Sequence, residues 1–531
     1  MTKKSLFFLF MFFPLHVFSI ADWTLYVHMQ ADNDLSAYAS MDLIDEMAKA
    51  TLSERVNVLI ECDMPNHEGT YRIKIENNEA KILDVLSYEM GQNQEHELVD
   101  GMKWVSSNYP AKHYAISLWG HGSGIIDPIR SLIRGILYDF TNNTYLNNQA
   151  LVVALNKIKS EVLGGENISV VGMDACLMAD LEVGYQIKDS VDYFVASQQT
   201  EPAFGWDYSG FLTTASKNYC TPAQFATAIV ESYKTFYDNK KTSDYTQSAV
   251  DLSKINLIEQ NLDQVVLTWN ECEDILGFNF KEIINQVRKN SLEFEDDDFI
   301  DLHFFYKNIL DEINKIEIPE PVVEVEPEIQ VLPKPTSPRP LNFFYRPNFG
   351  SRPNVFIRPS ILPRPILNSR PSSVPRPQVS ISNVNPRPVT ISVVRPSVSP
   401  RPQLTVRPSS LAKPSVQRPN YQRPNNILRP VIRDFSDFIF DIDFRTINFE
   451  KLKLSNKELE TLSSIIQDLK NLLVSGMNLI ESSVISNVTG PDMKDAKGIS
   501  IYFPKNEIHD SYYLTNFANA GNWVSFLEKF I

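Results

Sequence analysis

The strongest fold signal in this chain lies in two stretches, Tyr114-Ala-Ile-Ser-Leu-Trp-Gly-His-Gly-Ser-Gly124 and Ile168-Ser-Val-Val-Gly-Met-Asp-Ala-Cys-Leu177. Each is a short, β-rich apolar run that ends in a turn. Such runs are typical of buried parallel strands, whose carboxyl ends present reactive groups to solvent. We therefore expect His121 and Cys176 at neighbouring strand ends, and a Cys/His hydrolase is the first hypothesis.

Similar strand-like runs alternate with amphipathic segments through the first 200 residues. This alternation predicts an α/β fold of three layers, with a mostly parallel central sheet covered by helices on both faces. Asp32-Asn-Asp-Leu35 is interpreted as the N-cap of the helix after the first strand. Beyond Thr221 the pattern predicts helices. The predicted strands cover residues 23–31, 55–62, 71–75, 81–86, 114–119, 168–173 and 191–197, and later helices cover 95–108, 147–159, 177–188, 222–237 and 257–276.

The amino-terminal residues 1–21 have the charged start, short apolar run and small-residue end of a secretory signal peptide. We therefore expect a secreted or periplasmic protein. No later run reaches the roughly 20 apolar residues of a membrane-spanning helix, so no transmembrane segment is predicted.

Four cysteines are too few to make a chain of 531 residues a disulfide scaffold, and their spacing does not match zinc ligands. No metal site is predicted from them. Apart from Cys176, each cysteine is expected to be a buried small hydrophobic residue, with at most one disulfide among the three.

The segment 318–433 differs from the rest of the chain in composition. It contains 14 Arg-Pro dipeptides, six of them at a six-residue spacing from Arg346 to Arg376, and Thr336 to Arg433 holds 15 arginines and no acidic residue. Such proline density excludes helix and central strand, which leaves polyproline II or a disordered insertion. The tract is interpreted as a solvated spacer or as a basic ligand for an acidic surface or anionic polymer.

Globular character returns over 434–531, where helices are predicted at 456–477 and 512–530 and a strand at 498–503. One strand without a partner makes a poor independent domain. We therefore expect these residues to complete the domain begun by 22–317.

The chemistry of the first hypothesis needs a base beside the thiol, because the thiolate is the nucleophile. Glycines on both sides of His121 permit close backbone approach and offer N–H groups to an oxyanion. Other hydrolytic motifs are missing: Ser123 lacks the Gly-x-Ser-x-Gly spacing, and neither a His-Glu-x-x-His pair nor a phosphate loop occurs.

These residues resemble the clostripain family of cysteine endopeptidases, peptidase family C11, which is related to caspases. The Pro/Arg tract has no counterpart in that resemblance. The matching stretches are 23–47, Leu118-Trp-Gly-His-Gly-Ser-Gly124, Asp174-Ala-Cys-Leu-Met178, Ser197-Gln-Gln-Thr-Glu-Pro202, Gly205-Trp-Asp-Tyr208, Asp301-Leu302 and Gly498-Ile-Ser-Ile-Tyr-Phe-Pro504.

The resemblance implies a caspase-like fold and a role for each matching residue. His121 would be the base and Cys176 the nucleophile, and the backbone N–H groups of Gly122 and Cys176 would form the oxyanion hole. Asp174 would form the base of the P1 pocket and select Arg or Lys before the scissile bond. Asp207 is a further candidate for that pocket. For both acids a structural role, as helix cap or turn residue, is the alternative.

The resemblance also implies a zymogen that is cut between the His and Cys strands after a basic residue. Arg134, and second Arg130, are the expected self-cleavage sites. No cofactor is required, although calcium is compatible with the acidic run Asp296-Asp-Asp298, whose simpler interpretation is a solvated turn.

The expected partners are protein or peptide substrates with Arg or Lys at P1. No nucleic-acid partner is predicted, and a monomer is expected. The alternative function is a catalytically silent caspase-like binding protein that uses its basic tract to hold an anionic surface or polymer.

Overall fold

The computed structural model describes residues 20–40, 46–65, 69–127, 135–277, 280–320, 447 and 449–531. Most of the predicted signal peptide, both candidate cleavage sites Arg130 and Arg134, and residues 321–446 of the Pro/Arg tract lie outside these ranges.

Strands and helices alternate in the described residues as the sequence pattern predicts. The strands are β1 (Ala21–Gln30), β2 (Val56–Asp63), β3 (Tyr71–Glu76), β4 (Glu79–Val85), β5 (Ala111–Trp119), β6 (Ile136–Asp139), β7 (Thr144–Leu146), β8 (Ile168–Asp174), β9 (Val191–Ala196), β10 (Thr246–Asp251), β11 (Phe299–Asp301), β12 (Val484–Thr489) and β13 (Ser500–Tyr502). The helices are α1 (Ser36–Ser40), α2 (Gln94–Asn108), α3 (Asn148–Lys157), α4 (Leu181–Ile187), α5 (Tyr208–Lys217), α6 (Pro222–Lys240), α7 (Ile255–Leu276), α8 (Lys281–Asn290), α9 (Leu302–Ile313), α10 (Phe449–Leu452), α11 (Asn456–Ser483) and α12 (Trp523–Phe530).

The central sheet of the described residues runs in the order β12-β10-β9-β8-β5-β1-β2-β3-β4. Its five middle strands, from β9 to β2, pair in parallel, and the strands on either side of them pair antiparallel. Trp119 at the end of β5 pairs with Met29 and with Asp174. The carboxyl ends of the middle strands are therefore level, and the loops that follow them meet along one edge.

Burial explains why these segments form a three-layer fold. Every residue of β1 is buried, as expected for a central parallel strand covered on both faces. One apolar core lies under α2, α3, α4 and α7, and a second lies under α5 and α6. The α/β fold with a mostly parallel central sheet is thus confirmed.

The carboxyl-terminal residues contribute strands and helices to the same core as the amino-terminal part. β12 pairs antiparallel with β10, and β13 pairs antiparallel with β11. Helix α11 starts at a capping box between Ser455 and Glu458, and its buried face joins the first core. Residues on both sides of the tract therefore form one compact unit.

Three expectations about secondary structure were wrong. Beyond Thr221 the structure contains strand β10 as well as helices. The helix predicted from residue 177 starts at Leu181, because Asp180 caps it by accepting the N–H of Val183 at 2.6 Å. The final predicted helix is divided into a 3₁₀ turn, Tyr512–Leu514, and α12. Among the described helices, none is long and apolar enough to cross a bilayer.

Candidate active site

Polar residues collect where the five parallel strands end. Parallel strands place their carboxyl ends at one edge of the sheet, where α/β proteins bind ligands. The residues at this edge are, from β9 to β2, Glu201 after β9, Asp174 and Cys176 at the end of β8, His121 after β5, Asp32 after β1 and Asp63 at the end of β2.

The His and Cys loops touch each other through their backbones. A Cβ atom on Gly122 would lie 2.4 Å from the carbonyl oxygen of Cys176, a distance that no side chain tolerates. The N–H of Gly120 donates to the carbonyl of Asp174 at 3.2 Å, and the N–H of Leu137 donates to the carbonyl of His121 at 3.0 Å. Glycine at 122 is therefore required for the contact between the loop that carries His121 and the loop that carries Cys176.

His121 is oriented by an acid that the sequence analysis did not assign to the site. Its Nε2 lies 2.7 Å from Oδ1 of Asp34, and the His121 side chain is 21% exposed while that of Asp34 is 66% exposed. The strand order indicates this contact, because Asp34 follows β1 and β1 is the parallel neighbour of β5, which precedes His121. The stretch was interpreted as a helix cap alone.

Cys176 differs from the other three cysteines, all of which lie in the described residues. It is partly exposed, and its Sγ accepts the backbone N–H of Glu201 at 3.3 Å. The others are buried, and burial raises the pKa of Cys272 to about 12 and raises the pKa of Cys62 and Cys220 as well. Cys62, Cys220 and Cys272 are free thiols, and they have the inert character of structural cysteines.

Asp174 and Glu201 form a pair of acids, here called the Cys-side acidic pair. Asp174 is buried and accepts the N–H of Trp206 at 3.2 Å and the hydroxyl of Tyr208 at 3.0 Å. Burial raises the pKa of its carboxyl to about 6, against the lowering effect of a hydrogen bond with Glu201. Burial and the charge of Asp174 raise the pKa of Glu201 well above its usual range. The two acids therefore share a proton near neutral pH.

Glu201 is the second site residue that sequence reasoning missed. Its Oε1 accepts from the side-chain amide of Gln247 at 3.1 Å, while its backbone N–H contacts the thiol of Cys176. The residue lies in the quoted stretch Ser197-Gln-Gln-Thr-Glu-Pro202, but its role depends on β9 lying beside β8.

Asp207 caps helix α5. Its Oδ1 accepts the N–H of Gly210 at 2.9 Å and the hydroxyl of Ser209 at 3.1 Å. Its neighbours Trp206 and Tyr208 contact Asp174, whereas its own carboxylate is engaged at the helix start. The further role of Asp207 in a specificity pocket stays a prediction.

The run Asp296–Asp298 lies on the surface beside a lysine. Lys505 Nζ pairs with Asp297 at 2.8 Å, and the Lys505 backbone N–H donates to Asp298 at 3.4 Å. The N–H of Asp298 in turn donates to Asp296 at 3.2 Å. These contacts are those of a surface turn in which the carboxylate of Asp297 is paired with the ammonium group of Lys505.

The fold and this edge define a class of protein: an α/β protein with a parallel sheet whose adjacent strand-end loops hold a histidine and a partly exposed cysteine, with a buried acid two residues before the cysteine. The sequence matches the clostripain family over residues 27–529, and the chain belongs to that family.

Individual relatives are more distant. The chain is 25% identical to clostripain of Hathewaya histolytica over 214 residues, which are 35% of this chain and 40% of the relative, so it spans about two fifths of that protein. A secreted C11 cysteine protease from Bacteroides thetaiotaomicron, in complex with an irreversible peptide inhibitor, is similar at 20% identity and a TM-score of 0.42, covering 54% of this chain and 78% of that one. An inactive zymogen C11 protease from Parabacteroides distasonis is similar at 19% identity and a TM-score of 0.42, with the same coverage.

Proposed function

We propose that this protein is an exported cysteine endopeptidase that cleaves peptide bonds after Arg or Lys, with Cys176 as nucleophile and His121 as base. The observation that carries the proposal is the backbone contact between Gly122 and Cys176, which holds the two loops together at the sheet edge. Membership of the clostripain family supports the same activity.

In the proposed reaction the Sγ of Cys176 attacks the scissile carbonyl carbon after His121 has taken the thiol proton. Because Nε2 of His121 faces Asp34, Nδ1 is the ring nitrogen assigned to this proton. The backbone N–H groups of Gly122 and Cys176 stabilise the oxyanion. His121 then protonates the leaving amine, and water hydrolyses the thioester to release the acid. No cofactor takes part in these steps.

The Cys-side acidic pair is the proposed specificity pocket. A substrate guanidinium or ammonium would bind the single negative charge that Asp174 and Glu201 carry when they share one proton, forming charge-assisted hydrogen bonds. Arginine fits the pair well because its planar fork offers several donors to two carboxylates. Asp207, if it reaches the substrate, would add a second charge at the pocket.

We further propose that the domain is built from residues 22–317 and 434–531 around an inserted tract, and that it is activated by cleavage after Arg134 or, second, Arg130. A Cys176→Ala protein, purified alone, should remain intact where the native sequence is cut at 128–135. Cutting of the purified variant at the same bond would contradict self-cleavage and leave the peptidase activity to be tested separately.

The activity is tested with a peptidyl chloromethyl ketone that carries Arg, and a matched reagent that carries citrulline, which lacks the charge. Mass spectrometry should locate the Arg reagent on Cys176, with much slower labelling by the citrulline reagent and by either reagent in His121→Ala. Equal labelling of Cys62, Cys220 or Cys272 would contradict the proposal.

A further inference from the structure

Three buried aspartates meet on the other side of the His loop, and we call them the His-side acidic cluster. Asp32 follows β1, Asp63 ends β2 and Asp139 ends β6, with exposed fractions of 2%, 0% and 0%. One carboxylate oxygen from each lies within 4.8 Å of the other two. Burying three acids this close together is costly unless protons, hydrogen-bond donors or a cation compensate their charge.

Compensation from the protein is incomplete. Among the described residues, Asp32 Oδ2 and both carboxylate oxygens of Asp63 are buried without a hydrogen-bond partner, and no lysine or arginine forms an ion pair with the cluster. The backbone N–H of Met64 gives Asp63 modest support, and the backbone N–H of Asn142 donates to Oδ1 of Asp139 at 2.5 Å. A further acid, Glu89, adds repulsion. Burial together with the neighbouring acids raises the pKa of Asp63 to about 8 and that of Asp139 to about 6.

A buried amide next to the cluster is a second, independent observation. The side chain of Gln30 is 1% exposed and donates its Nε2 to Asp139, while its Oε1 has no hydrogen-bond partner in the described structure. The amide oxygen and nitrogen are exchanged by a simple flip. Gln30 therefore brings a neutral oxygen donor to the same place.

We propose that the His-side acidic cluster is a Ca²⁺ site, with Asp32, Asp63 and Asp139 as carboxylate ligands and Gln30 as a neutral oxygen ligand. Hard divalent cations prefer carboxylate and amide oxygens. Ca²⁺ takes about six to eight oxygen ligands in flexible geometry, whereas Mg²⁺ keeps several of its waters. A buried group of four side chains, three of them carboxylates, therefore favours Ca²⁺.

The ion would fix the segments that hold His121. The carbonyl of Asp32 accepts the N–H of Phe140 at 2.8 Å, which joins the β1 loop to the end of β6. Asp34, the partner of His121 Nε2, lies on that β1 loop, and Leu137, the donor to the His121 carbonyl, lies on β6. The ion would touch no reacting atom, so its ligands are positioning residues.

The site is tested on the full chain carrying Cys176→Ala, so that self-cleavage does not interfere. After chelation with EDTA and desalting, titration calorimetry should find one Ca²⁺ bound per chain and weaker binding of Mg²⁺. Saturating Ca²⁺ should raise the melting temperature by about 2 °C or more, because a ligand that binds the native state alone stabilises it.

Asp63→Asn in the same background should abolish that binding and that shift. It removes a repelling charge, so the calcium-free variant should melt no lower than its parent; Asp139→Asn serves in its place if the first variant does not fold. The matched control is Asp296→Asn with Asp298→Asn, which should keep the full response. Absence of Ca²⁺ binding in the parent, a response that survives Asp63→Asn and Asp139→Asn, or its loss in the control would each overturn the site. None of these results depends on peptidase activity.

Discussion

The two acidic groups at the sheet edge flank His121 and Cys176, yet they differ in how fully the protein supplies them with hydrogen-bond donors. The Cys-side acidic pair is supplied with donors, from the N–H of Trp206, the hydroxyl of Tyr208 and the amide of Gln247. The His-side acidic cluster has three acids but leaves several carboxylate oxygens without a partner. The pair is thus satisfied by these donors and one shared proton, whereas the cluster needs a bound ion or further protons.

The largest expected effect comes from removing the charge of the pair. Asp174→Asn keeps the shape of the side chain, so we expect kcat/KM for Arg substrates to fall about 100- to 1,000-fold, the cost of leaving one partner of a buried charge pair unmatched. Cleavage after citrulline should change much less. The calcium-induced rise in melting temperature should stay, because Asp174 belongs to the other group. Equal losses for both substrates would instead indicate damage to Cys176, which lies two residues away.

A pH titration separates the pair from the His/Cys chemistry. Burial raises the pKa of Asp174 to about 6, so its carboxyl is ionised above that pH and neutral below it. In the Cys176→Ala protein, an Arg peptide should therefore bind about tenfold more weakly at pH 5 than at pH 7. The citrulline peptide should bind alike at both values, and Asp174→Asn should remove the pH dependence. Weaker Arg binding at the higher pH would contradict the assignment.

The parallel middle strands and the antiparallel outer strands differ in how well the sequence predicts them. The middle strands are continuous apolar runs, so β1, β5 and β8 were predicted nearly to their ends, and His121 and Cys176 with them. Antiparallel strands such as β10 and β12 mix polar and apolar residues, because part of their burial comes from loops and from each other. Periodicity therefore does not identify them.

The local sequence pattern also fails to identify some of the acids at the site, for a related reason. Asp63 and Asp139 are 76 positions apart in the chain and meet because β2 pairs with β1 and the end of β6 bonds to the loop after β1. Asp34 was interpreted as a helix cap, although the loop that carries it also reaches His121. Local pattern identifies each residue type, but strand order decides which residues share an edge.

A smaller effect is expected from Asp34, whose loop links the His-side acidic cluster to His121. Asp34 is well exposed, and ion pairs of exposed acids contribute about 0.2 to 1 kcal/mol, so Asp34→Asn should lower kcat by about two- to fivefold with little change in KM. Asp274→Asn, on the exposed face of α7, is the control and should leave both constants unchanged. A change confined to KM would mean that Asp34 acts on substrate binding and not on His121.

The smallest effect distinguishes Asp207 from the Cys-side acidic pair. Its carboxylate caps α5, and asparagine is as good a cap as aspartate, whereas alanine costs about 1 kcal/mol of unfolding free energy. Asp207→Ala should therefore lower stability in urea by about that amount, and Asp207→Asn should not. Both variants should keep kcat/KM for Arg substrates within about threefold if the cap is the whole role. A fall in Arg cleavage in Asp207→Asn, with stability unchanged, would instead extend the specificity pocket to this residue, because the substitution removes charge without removing the cap.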